Sequence, residues 1–174
     1  MASNANFISQ FVMGGDPCTY KESGELQAEM SKLTHPARPD VDWRQVEKLS
    51  LALFRQNGVE LQTLVCYVLA ITRRQGLAGM ADGLGSLDIL LQRWADFWPV
   101  QVHSRISLLS WVTEKMQQAL RTLDIQYQDL PQIYRCVQHL SAIETTLQQC
   151  ELWHMTKLDL LAGQFRNTAF RLER

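Results

Sequence analysis

Apolar residues recur at helical spacing along most of the chain, and no stretch alternates with period two for long enough to predict a strand. The first twenty residues carry little pattern. Gly14, Gly15, Asp16 and Pro17 break any helix there, so 1–20 reads as a flexible N-terminal arm. A short helix is expected from Glu22 to Leu33. Thr34 to Pro39 reads as a linker, because each proline biases its predecessor away from helix. Asp40 or Asp42 can then cap a helix whose buried stripe is Trp43, Val46, Leu49 and Leu53. Glu47 adds charge suited to its opening turns, and Asn57-Gly58 ends it, with Gly58 suited to a left-handed cap. A third helix starts near Glu60, buries Leu61, Leu64, Val65, Val68 and Leu69, and stops at Gly76.

Heptad spacing follows. Leu77, Leu84, Leu91 and Trp98 fall seven apart, interleaved by Met80, Leu87 and Trp94, which predicts one helix ending at Pro99. Ser104 is the expected N-cap of the next, whose stripe is Ile106, Val112 or Thr113, and Leu120, alternating with Leu109, Met116 and Leu123. Such spacing suits antiparallel helices packed at a shallow angle. Pro131 fits the first position of a last helical region. There, one stripe (Ile133, Cys136, Leu140, Ile143, Leu147) gives way to a shifted one (Met155, Leu158, Ala162, Phe165, Ala169, Leu172). With no Pro, Gly or Asn between them, a single long helix with a stutter is favoured over a hairpin turning near Cys150 to His154. The fold class is all-α: a compact antiparallel helical bundle with a long C-terminal helix or helical hairpin. The segments are an arm at 1–20, a helical domain at 21–123 and a helical extension at 124–174.

Composition narrows the function classes. A chain of 174 residues can bury a core without disulfides or metal. Seventeen basic and 18 acidic residues leave no bulk field for nucleic acid. Cys18, Cys66, Cys136 and Cys150 form no CxxC pair and read as reduced thiols. Met1 to Gln10 lacks the basic start of a secretory signal, and the longest apolar run, Leu64 to Ile71, is too short to span a bilayer.

Candidate chemistry is sparse. The Gly-rich stretch Gly76 to Gly85 lacks the Gly-Lys-Ser/Thr and the preceding strand of a phosphate loop, so its small residues are expected to let two helices approach closely. Cys136, His139, Cys150 and His154 are zinc-ligand types at the wrong spacing. On one helix, His139 and Cys150 would stand about 16 Å apart. Asp82, Asp88, Asp96 and Glu114 are expected on a solvated face. Asp96, His103 and Ser104 are triad types clustered at a helix boundary, where Ser104 serves better as a cap. Trp43, Trp94, Trp98 and Trp111 belong on or beside core stripes, whereas Trp153 is balanced between core and partner anchor.

Several stretches together resemble a known family. They are Pro39-Asp40-Val41-Asp42-Trp43 leading into Val46 to Leu49, Arg73-Arg74-Gln75-Gly76-Leu77-Ala78-Gly79-Met80-Ala81-Asp82-Gly83-Leu84, and Leu91-Gln92-Arg93-Trp94 with Trp98-Pro99; Arg105 and Leu108 to Trp111 continue them. Their order and spacing are similar to the ImpA N-terminal domain of TssA-type, TagA-like and VasL-like proteins of bacterial type VI secretion systems. The resemblance covers roughly residues 15 to 123. It implies a non-enzymatic assembly module in the bacterial cytoplasm, associated with the secretion apparatus, with baseplate, tube, sheath or membrane-complex proteins as partners. It implies no cofactor. Ring formation and membrane anchoring are not carried over, because residues 124–174 match neither of the later family segments that supply them.

No residue is therefore assigned to catalysis, to a cofactor or to a metal. The competing reading is a small helical hydrolase using Asp82, Asp96 or His103. The expected partner-binding residues lie on the last helical region: Trp153, Leu158, Phe165 and Phe170. A single helix of about 40 residues would span roughly 60 Å and outrun a domain of ~30 Å. Its far end would then expose an apolar stripe, for which a homodimer through 131–172 is the simplest cover.

Overall fold

The computed structural model describes residues 4–174, with side chains from residue 7. Seven α-helices carry the architecture of the described residues: α1 (Lys21–Met30), α2 (Trp43–Gln56), α3 (Leu61–Gln75), α4 (Leu77–Leu91), α5 (Val102–Thr122), α6 (Leu130–Gln149) and α7 (Leu158–Glu173). The protein is all-α, as the periodicity requires.

α3 is the axis of the bundle. Its residues from Thr63 through Thr72 are all buried, because α2, α4 and α5 each pack against it. α4 is covered by α3 on one side and α6 on another, and a helix enclosed this way needs little amphipathic contrast. One large core runs through α3 to α7. A smaller one joins Leu26, Met30, Val46, Leu49 and Leu53 to Cys66, Leu69 and Ala70 of α3.

Local signals explain several boundaries. Asp42 caps α2 by accepting from the Gln45 N–H at 3.2 Å. Gly58 follows α2 at φ 102°, the left-handed residue expected there. A single residue, Gly76, joins α3 to α4. The small-residue reading of the Gly-rich stretch holds: a Cβ on Gly79 would fall 2.0 Å from the Ile71 carbonyl oxygen, and one on Gly83 would fall 2.7 Å from a Val68 methyl. α3 and α4 can approach this closely only without those side chains.

Four expectations need correction. The helix expected to run from Leu77 to Trp98 ends at Leu91, and turns carry the chain to Pro99. α5 starts at Val102 with Gln101 as its N-cap residue, so Ser104 lies inside the first turn. Part of the segment read as a flexible arm is docked: Ile8 is fully buried, the Val59 N–H donates to the Val12 carbonyl, and the Gly14 N–H donates to the Val59 carbonyl. Positions 1–3 of that arm lie outside the described residues. Finally, the favoured single C-terminal helix is a hairpin. α6 stops at Gln149 and α7 begins at Leu158, with Glu151 at φ 60° and Lys157 at φ 65° between them. The chain reverses without glycine because these two residues take left-handed conformations themselves.

Candidate functional site

The turns after α4 are organised by one buried side chain. Arg105, in the first turn of α5, is only 3% exposed. Its Nε donates to the Pro99 carbonyl at 2.6 Å, Nη2 donates to the Phe97 carbonyl at 2.5 Å, and Nη1 donates to the Trp94 carbonyl. The guanidinium carbon lies 3.9 Å from the Phe97 ring centroid and 4.6 Å from that of Trp94. Those two rings meet edge to face at 5.6 Å. Burial lowers the Arg105 pKa from its usual value, yet a guanidinium stays charged. Its charge is solvated by three carbonyl dipoles and two aromatic faces. The same corner is fastened to α3, whose Leu61 N–H donates to the Trp98 carbonyl at 3.0 Å. Beside it, fully buried Glu60 caps α3 by accepting from the N–H groups of Gln62 and Thr63 at 2.6 and 2.8 Å. Burial pushes its carboxyl up to about 7 despite those two donors.

This corner presents an apolar groove. Trp98, Pro99, Gln62 and Leu108 line a depression of about 330 Å³. It shares Gln62, Ser107 and Leu108 with a cleft of about 400 Å³ that Met30, Val65 and Trp111 complete between α1, α3 and α5. In the chain beside the groove, Val100 and Val102 are exposed. Arg105 thus holds the Trp98-Pro99 wall in place without being accessible itself.

A second depression has the opposite character. Lys32, Arg38, Arg73 and Lys115 surround a cleft of about 340 Å³ whose apolar walls are Leu33, Pro39, Trp43 and Leu69. The Arg73 guanidinium carbon is 5.6 Å from the Trp43 ring centroid. Lys32 pairs with Glu29 at 2.8 Å.

The residues singled out from the sequence fall differently. Trp153 is 5% exposed, and Leu158 and Phe165 are fully buried in the chain's own core. Their expected role as an exposed anchor loses its premise: the hairpin returns α7 onto α6 and α5, so the stripe is covered within the chain. Phe170 remains 60% exposed, with Arg174 stacked over its ring. Asp82 is not on a solvated face. It pairs with Arg135 of α6 at 2.6 Å, its side chain 13% exposed. Asp96 pairs with Arg93 in the turn after α4, and exposed His103 lines the apolar groove with Ser104. Asp82, Asp96 and His103, the residues of the hydrolase reading, thus sit against different neighbours: Arg135, Arg93 and the groove lining. Cys136 is buried, its thiol raised to about 12 by desolvation. His154 is exposed against Asp159 at 3.1 Å. Among the described residues, no group of three or more His, Cys, Asp or Glu gathers as a metal site, and no helix is long and apolar enough to cross a membrane.

Pro39, Trp43 and Arg73 lie within the family-like stretches, but nothing in the sequence joins them into one cleft. Lys115 carried no signal at all, since only the packing of α5 beside α3 brings it there.

Among curated proteins and among solved structures no match is found. The family model described as ImpA, N-terminal, type VI secretion system matches residues 8–114. That span takes in the docked arm, Asp42 and Trp43, the Gly79 and Gly83 contact, and the Arg105 corner with its groove. The chain belongs to the ImpA N-terminal family of the type VI secretion system.

Proposed function

We propose that this chain is a non-enzymatic assembly and interaction module, TssA-like or TagA-like, that contacts baseplate, tube, sheath or membrane-complex proteins in the bacterial cytoplasm. The observation that carries the reading is the family match over residues 8–114, within which the apolar groove beside Trp98-Pro99 lies. A groove walled by a tryptophan and a proline, held by a buried arginine and bounded by half-buried Leu108 and Trp111, suits capture of a partner's apolar side chain. Self-association through 131–172 would rest on what stays exposed there, including Tyr134, Met155, Leu160 and Phe170. Affinity co-purification of the chain with baseplate, tube and sheath components tests the assembly role. Capture of at least one of them, abolished by Leu108→Glu or Trp111→Glu in folded protein, is expected. Failure to capture any, together with unchanged secretion in a deletion strain, overturns it.

A further inference from the structure

We infer that the cleft between the α1–α2 linker and the ends of α3 and α5 is a docking site for an acidic, apolar-containing peptide segment of a partner protein. Charge sets this cleft apart from the rest of the chain. The chain as a whole carries 17 basic and 18 acidic residues, so an even distribution would give no local field. The cleft nevertheless gathers Lys32, Arg38, Arg73 and Lys115 with no carboxylate among the residues that line it. Of these, only Lys32 has an ion-pair partner among the described residues, Glu29.

The surroundings reinforce the field. Arg74, next to Arg73 in sequence, lines a neighbouring depression with Arg44, Lys48 and Arg55. The one carboxylate there, Glu47, already pairs with Arg74. The two depressions together collect about half of the chain's 17 lysines and arginines. Clustered cations of this kind raise the local concentration of an oppositely charged partner and speed its encounter.

The cleft is also more than a charged surface. Trp43 and Leu33 are half-buried and Leu69 is buried, so the cations ring an apolar floor. The Arg73 guanidinium lies over the Trp43 ring, and its planar fork of donors suits a carboxylate. The volume of about 340 Å³ admits a few side chains and no folded element. Arg38 is presented at φ 46° by a linker turn in which its N–H donates to the His35 carbonyl at 2.9 Å. Aspartate or glutamate flanking one aliphatic side chain fits this arrangement: the carboxylates meet Arg38, Arg73 and Lys115, and the aliphatic group covers Trp43. A nucleic-acid backbone would match the charge but leave the apolar floor unused.

The inference deepens the assembly reading and rests on it only for the partner being a protein of the apparatus. Its test is independent of the co-purification, so either can fail alone. The full chain is titrated with a fluorescein-labelled peptide of alternating aspartate and leucine, with the same peptide carrying asparagine for aspartate, and with a labelled DNA duplex. Saturable binding of the acidic peptide is expected, at least tenfold tighter than the asparagine version and tighter than the duplex. Arg73→Gln with Lys115→Gln should weaken it at least tenfold at an unchanged melting temperature, and Arg38→Gln, at an exposed position, should weaken it severalfold on its own. Equal binding of the two peptides, preference for the duplex, or undiminished binding by either folded variant overturns the inference.

Discussion

Asp82 of α4 and Arg135 of α6 meet at 2.6 Å across the junction between the family-matched segment and the C-terminal hairpin. Both side chains are largely covered, at 13% and 29% exposure, so the pair is shielded from solvent more than a surface ion pair. Replacing Arg135 by methionine removes the guanidinium from the largely covered Asp82 carboxylate. A loss of about 2 kcal/mol in urea denaturation is expected, between the surface and fully buried limits. Asp82→Asn combined with Arg135→Met should cost less than the two changes summed, because the ion pair they share is lost only once. Strict additivity would show that the pair does not couple the hairpin to the domain.

Arg105 satisfies three carbonyls at once, from Trp94, Phe97 and Pro99. Lysine keeps the charge but lacks the planar fork that reaches all three. Arg105→Lys is therefore expected to destabilise by roughly 3 kcal/mol, at about 1–3 kcal/mol for each buried group left unpaired. Tryptophan fluorescence should report it too, as Trp94 loses the guanidinium over its ring. A variant with native stability and an unshifted spectrum would contradict this account of the corner.

Phe165 and Phe170 lie five residues apart on α7 and should respond in opposite ways. Phe165 is fully buried, whereas Phe170 is 60% exposed. Phe165→Ala should cost about 3–5 kcal/mol by cavity formation. Phe170→Ala should stay within about 0.5 kcal/mol of the parent. Light scattering at high protein concentration adds the assembly readout. A self-associating surface on the hairpin would be sensitive to Phe170→Glu in folded protein, while Phe165→Glu should unfold the chain.

Glu60 gives the protein a definite pH signature. Its folded-state pKa is about 7, against 4.5 for the free side chain, because burial outweighs the two N–H donors at the start of α3. Between those values the folded chain keeps a proton that the unfolded chain releases. Stability from this group is therefore full below about pH 4.5 and is lost as pH rises toward 7. Glu60→Gln cannot ionise. Its stability relative to the parent should rise by on the order of 2 kcal/mol between pH 5 and pH 8, measured as the difference between two urea titrations, which cancels the other titrating groups. A pH-independent difference would mean that Glu60 is charged throughout.

The amino-acid pattern alone determined what depends on neighbours in the chain. Helical spacing set the all-α class, Asp40 or Asp42 and Asn57-Gly58 bracketed α2, and the Gly-rich stretch marked a close contact between two helices, since a missing Cβ is visible in sequence; the structure picks Asp42 as the cap and α3 with α4 as the two helices. Tertiary structure decided what depends on partners far along the chain. α4 stops at Leu91 although its heptads continue, and Arg105 collects the carbonyls of the turns that follow. The C-terminal reversal stood second to a single helix because Glu151 and Lys157, neither a usual turn residue, adopt left-handed conformations. Burial of Trp153, Thr156 and Leu158 against the bundle accompanies that cost, and the stripe that looked exposed is core. The basic cleft was invisible. Lys32 and Arg38 come from the α1–α2 connection, Arg73 from α3 and Lys115 from α5, and a local electrostatic field exists only once packing brings their charges together.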